Sequence, residues 1–214
     1  MRKLFREPAS GFSHMLGALL SIAALAILLY VSIVNRNSRE IVSFSIFGAS
    51  MLLLYSVSTA YHLFNGSSKV IDILRKLDHS MIFILIAGTY TPVCLILLRG
   101  VIGYTIFSVI WACTLVGIIL KTIFINKIPR VIYTGVYLLM GWLSVIAIVP
   151  LYHKTGIIPV SWLLAGGIFY TIGGIIYSLK KPNLIPQWLG FHEIFHILTM
   201  MGTASHFWMI LRYC

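Results

Sequence analysis

The chain has 214 residues, 59% of them hydrophobic and 10% charged, with a mean hydropathy of +0.97. Soluble domains carry about 25% charged residues, so this composition excludes an ordinary soluble domain and implies an integral membrane protein. A net charge of +11, from 16 Lys and Arg against 5 Asp and Glu, does not mark a nucleic-acid partner, because the cations sit in short gaps between apolar runs and form no basic face.

A membrane-spanning helix needs about 20 mainly apolar residues. In chain order, spans are expected at 12–34, 41–63, 79–98, 101–121, 131–150, 157–179 and 189–211. The runs are continuous rather than alternating, which excludes barrel strands. The expected fold is therefore all-α: a single transmembrane domain over 1–214, built as a seven-helix bundle. The basic start (Arg2, Lys3, Arg6) resembles a signal peptide, but the apolar run behind it is too long for one, so it reads as a retained first helix. Lys69–Leu77 reads as a short amphipathic stretch at the interface. The glycine pairs Gly166-Gly167 and Gly173-Gly174 in the sixth span read as sites of close helix packing. Trp188 reads as an interfacial anchor ahead of the seventh span. Cys94, Cys113 and Cys214 form no C-x-x-C pair and imply no disulfide framework.

Placing the N-terminus inside puts eleven basic residues on the cytoplasmic side and five on the outer side. That asymmetry favours a cytoplasmic N-terminus and an extracellular C-terminus.

The rare polar residues fall at one depth on this topology. His62 ends the second span, Asp78 and His79 start the third, His192 and His196 start the seventh, and His14 lies near the start of the first. His192-Glu193-Ile194-Phe195-His196 reads H-E-x-x-H, and histidines at i and i+4 share one helix face. With His62 they form a candidate set of three nitrogen ligands for zinc, leaving a fourth position for water, as in catalytic zinc sites. Asp78 is placed to manage the proton of that water. Ser58, four residues before His62, shares its helix face and can donate a hydrogen bond into the site. The alternative is that the histidines serve as packing contacts or proton relays between helices. Glu193 is either a general base, as in soluble H-E-x-x-H enzymes, or a structural carboxylate near the membrane surface. His206 lies ten residues past His196, about 15 Å along a helix, and cannot join the same ion.

Several elements together resemble the hemolysin III family, within the progestin and adipoQ receptor superfamily. They are Glu7 with His14 (EPASGFSH), Ser58-Thr59-Ala60-Tyr61-His62, Leu77-Asp78-His79, Ala87-Gly88-Thr89-Tyr90-Thr91-Pro92, Met140-Gly141-Trp142-Leu143-Ser144, and His192-x-x-x-His196 followed by His206-Phe207. The resemblance implies seven helices with the N-terminus inside and a location in the bacterial plasma membrane. It implies a zinc site on His62, His192 and His196, with Asp78 and Ser58 at the matching polar positions. It also implies lipid amide hydrolysis of the ceramidase type, or roles in membrane homeostasis and haemolysis. Two positions depart from the family pattern. Ser10 stands where Asn is frequent, which argues against a polar network on the first helix. Glu193 stands where an acid is uncommon.

The functional expectation is a zinc-dependent intramembrane hydrolase of a lipid amide or ester, with membrane lipids as environment and substrate. The alternatives are a non-enzymatic stress sensor with structural zinc and a cytolytic, haemolytic membrane protein. A pore is disfavoured because the polar residues gather in one leaflet. A transporter is disfavoured because no pair of broken spans appears in matching halves. The sequence identifies no protein partner.

Overall fold

A computed structural model of the chain describes residues 4–125, 127–185 and 188–214. Its helices are α1 (Pro8–Val34), α2 (Ser38–Leu63), α3 (Ser68–Pro92), α4 (Val101–Phe124), α5 (Arg130–Trp142), α6 (Val145–Thr155), α7 (Ile157–Leu179) and α8 (Phe191–Tyr213). A π-helical turn, Val93–Leu97, follows α3. Among the described residues the only β pairing is an isolated bridge between Ile185 and Leu189. Seven helical stretches are long and apolar enough to cross a membrane, with α5 and α6 together forming the fifth. Arg2 and Lys3, counted above toward the inner side, lie outside the described residues.

Local chemistry sets where these helices begin. Pro8 occupies the first turn of α1, where its missing N–H costs nothing. Asn37 caps α2, its side-chain oxygen accepting from the N–H groups of Arg39 at 3.1 Å and Glu40 at 3.4 Å. Ser67 caps α3 through Val70 N–H. Lys69–Leu77 is continuous with the third span and forms the first turns of α3. Asp72 pairs with Arg75 at 2.8 Å and with Lys76 at 3.1 Å, one turn on. No glycine or proline lies between this stretch and the apolar run, so the helix continues through it.

Two spans are interrupted. Pro92 supplies no N–H, and the ladder behind it widens until Leu98 N–H reaches the Val93 carbonyl at 2.9 Å. The fifth span breaks at Leu143 and Ser144, between α5 and α6. The Tyr90 hydroxyl lies 2.8 Å from both the Met140 and Gly141 carbonyls and ties this break to α3. Gly156 then turns the chain into α7 at φ +80, a conformation that glycine adopts without a side-chain clash.

On α1 the packing inverts that of a helix in a soluble bundle. On α1 the inward residues are Ser10, Gly11, His14, Gly17, Ser21, Leu28 and Ser32. Leu16, Leu19, Leu20, Ile22 and Ile27 face outward. Small and polar residues let helices approach closely, and the apolar exterior suits hydrocarbon. Gly166 shows the approach most directly, since a Cβ there would overlap the His206 ring on α8. Gly173 and Gly174 face α8 and α5 respectively, as expected of packing glycines, whereas Gly167 meets open space on the wall of an internal cavity. This cavity, of about 610 Å³, lies between the helices, within the size range of small-molecule sites.

Candidate metal centre

The centre is assembled where three helix ends meet. α2 delivers His62 in its last turn, α8 delivers His192 in its first, and α1 starts beside both. The Glu7 N–H donates to the His62 carbonyl at 3.0 Å, fastening the start of α1 to the end of α2. One candidate ligand atom from each of His62, His192 and His196 lies within 4.8 Å of the others. His62 and His196 are buried and His192 is partly buried. The seven-span fold thus brings together the three histidines singled out in the sequence.

Their hydrogen bonds decide which nitrogens face inward. His62 Nδ1 donates to Glu7 Oε2 at 2.5 Å. His196 Nδ1 lies 3.2 Å from the Ser10 carbonyl and 3.1 Å from the Ser13 hydroxyl. Both rings are thereby left with Nε2 as the available ligand atom, because a ring nitrogen that donates a proton cannot also bind metal. The Nε2 atoms of His62 and His192 are 3.3 Å apart. Two nitrogens on a tetrahedral ion at 2.0–2.1 Å would be about 3.3–3.4 Å apart. The donor set therefore fits zinc, or another divalent ion that favours imidazole. The hydrogen bond from His62 holds the Glu7 carboxyl below its usual value, against the opposing effect of its partial burial.

The remaining expected residues stand around this group in distinct ways. Asp78 and Ser58 both line the cavity, as do His14, His79 and the three clustered histidines. Ser58 is buried, yet no bond from it to its own helix appears, unlike Thr59, whose hydroxyl donates to the Tyr55 carbonyl. Among the described residues, Asp78 makes no direct hydrogen bond to a clustered histidine; its Oδ2 lies 4.0 Å from His79 Nδ1. His79 Nδ1 donates to the Arg75 carbonyl at 2.7 Å. His14 stacks on His196 with centroids 3.5 Å apart and an interplanar angle of 11°. His206 contacts the Leu163 carbonyl at 3.1 Å and stands apart from the cluster. His153 is exposed, and all three cysteines are free.

Sequence reasoning missed the supporting residues on α1 and in the segment before it. Contrary to the expectation drawn from Ser10, a polar network does run along the start of α1. Ser10 donates to Glu193 Oε1 at 2.5 Å, while Glu193 Oε2 accepts the Gly190 N–H at 2.9 Å. Glu193 is thus engaged in capping α8 and joining it to α1. The two positions that depart from the family pattern are partners of each other. The available signal was the rarity of acids: Glu7 and Glu193 are two of only five in the chain.

Fold and site together define a heptahelical membrane protein with a histidine cluster at one end of its bundle. A family model described as "Haemolysin-III related" matches residues 2–207. The chain is 43% identical over 208 residues to "Hemolysin-3 homolog" of Bacillus subtilis, covering 97% of this chain and 94% of that protein. It is 40% identical over 207 residues to "Hemolysin-3" of Bacillus cereus, covering 97% and 91%. A more distant relative is "ADIPOR-like receptor IZH2" of Saccharomyces cerevisiae, 27% identical over 171 residues, with 70% of this chain and 52% of that protein covered. The chain belongs to the haemolysin-III-related family and is a multi-pass protein of the bacterial plasma membrane.

Proposed function

We propose that this protein is a zinc-dependent intramembrane hydrolase acting on a lipid amide or ester, with its N-terminus cytoplasmic and its site beneath the inner membrane surface. One observation carries the reading: three imidazoles meet at one end of a cavity whose walls include Leu54, Ile82, Leu85 and Ile86. A structural zinc site is closed by four protein ligands, whereas three ligands beside a cavity leave a position open to substrate.

A bound zinc supplies a Lewis acid and lowers the pKa of coordinated water to about 7. The chain's own residues supply the rest. Glu7 fixes the tautomer of His62, and the Ser10 carbonyl and Ser13 hydroxyl fix the ring of His196. The Asp78 carboxylate, on the cavity wall, takes up and returns the proton of the attacking water. The Ser58 hydroxyl, free of its helix backbone, donates to the substrate carbonyl as negative charge develops there. The apolar wall holds the acyl chain and excludes water from the reacting bond.

The test is purified protein, supplied with zinc in lipid nanodiscs and offered a panel of long-chain lipid amides and esters. Cleavage of at least one class is expected. Asp78→Asn should lower turnover by roughly 10²–10⁴-fold with zinc content retained. Absence of turnover across the whole panel in zinc-loaded protein would sink the hydrolase reading. The lysis named for the Bacillus cereus relative is, on this reading, a consequence of lipid turnover.

A further inference from the structure

The cavity carries a second chemical group that neither the metal centre nor the hydrolytic reading uses. Lys121, in the last turn of α4, is 4% exposed and lines the cavity. Its ammonium lies over the Tyr133 ring, 3.3 Å from the centroid. No carboxylate among the described residues forms an ion pair with it. Arg130, the first residue of α5, also lines the cavity. Its guanidinium lies over Tyr177 at 4.5 Å and donates to the Tyr177 carbonyl at 3.2 Å. Arg75 of α3 joins the same wall, with one N–H directed to Asp72 at 2.8 Å.

Among the described residues, no carboxylate of the cavity forms an ion pair with Lys121 or Arg130. Glu7 is engaged by His62, and Glu193 by Ser10 and the Gly190 N–H. Asp78, the remaining acid on the lining, attracts Lys121 through space but forms no ion pair with it among the described residues. A ring face gives a cation some attraction, but an ammonium buried without a counter-ion is costly at membrane depth. The expected complement is an anion entering from outside the protein. Phosphate suits this setting, because several donors from separate side chains can share its oxygens. The apolar wall nearby suits a chain attached to it.

We propose that Lys121, flanked by Arg130, captures the phosphate of an anionic lipid head group whose acyl chain occupies the apolar part of the cavity. This rests on the reading of the cavity as a lipid site, but it requires neither zinc nor turnover. It narrows the substrate class to lipids that carry a net negative charge next to the scissile bond's chain.

The test is lipid retention by the purified full chain in neutral detergent, measured by native mass spectrometry with and without zinc. Wild type should retain phosphatidylglycerol in preference to phosphatidylcholine. Lys121→Met keeps the side-chain length and removes the charge, and should weaken phosphatidylglycerol retention roughly tenfold while leaving phosphatidylcholine unchanged. Lys121→Arg should retain it to within about threefold, which separates loss of charge from loss of fold. Equal phosphatidylglycerol binding by wild type and Lys121→Met would overturn the proposal. So would inorganic phosphate displacing the lipid at similar concentration, which would assign the site to the free ion. Because binding is read without hydrolysis, failure here and failure of the hydrolase reading are separate results.

Discussion

On the α1–α2–α8 wall of the cavity, polar side chains are held by others from distant parts of the chain. His62 is held by Glu7, His196 by Ser10 and Ser13, and Glu193 by Ser10. On the α4–α5 wall, Lys121 lies over the Tyr133 ring and, among the described residues, forms no ion pair. The first wall is preorganised: its hydrogen bonds settle ring orientation and tautomer before any ion arrives, so less is lost when one binds. The second wall leaves a buried charge to be satisfied by something that enters the cavity. On the two readings proposed above, the contrast puts metal holding on one side and ligand recognition on the other.

Substitutions on the first wall can break this contrast if they leave the metal untouched. The largest effect is expected from His62→Ala or His196→Ala. Zinc measured by elemental analysis should fall from about one ion per chain to near none, since two imidazoles no longer define a protein site. The same measurement on Lys121→Met should show zinc retained; loss there would merge the two walls into one unit. Glu7→Gln comes next. It keeps the shape of the side chain but replaces the carboxylate that orients His62, so zinc affinity in chelator competition should weaken by roughly 10–100-fold. Ser10→Ala is the mildest. It removes the hydroxyl bonded to Glu193 but keeps the backbone carbonyl that faces His196. Thermal unfolding in detergent should register a loss of about 1 kcal/mol, with zinc affinity within about threefold of wild type. A larger drop in affinity would mean that the α1–α8 bond, not the histidine geometry alone, sets the metal site.

Much of the candidate site was legible because its spacing rules are local. His192 and His196 share a helix face by the period of the α-helix. His62 and Asp78 could be set at the same depth because bilayer thickness fixes where each span ends. The supporting bonds were not legible. Whether Glu7 reaches His62 depends on how the start of α1 docks against the end of α2, and no periodicity encodes that. Lys121 counted in the sequence only as a topology signal; its burial beneath Tyr133 appears once α4 and α5 are placed. The continuation of α3 back to Ser68 was obscured by a change of composition, since charge ends an apolar run without ending a helix.

By itself the sequence determined seven apolar helices and the histidine spacing, because hydrocarbon demands internally bonded backbone and a minimum length of apolar chain. Tertiary structure decided the break at Leu143 and Ser144, the pairing of Ser10 with Glu193, and the two chemically different walls. Those features depend on which helix faces meet, and in a membrane that choice rests on side-chain packing and hydrogen bonds between residues far apart in the chain.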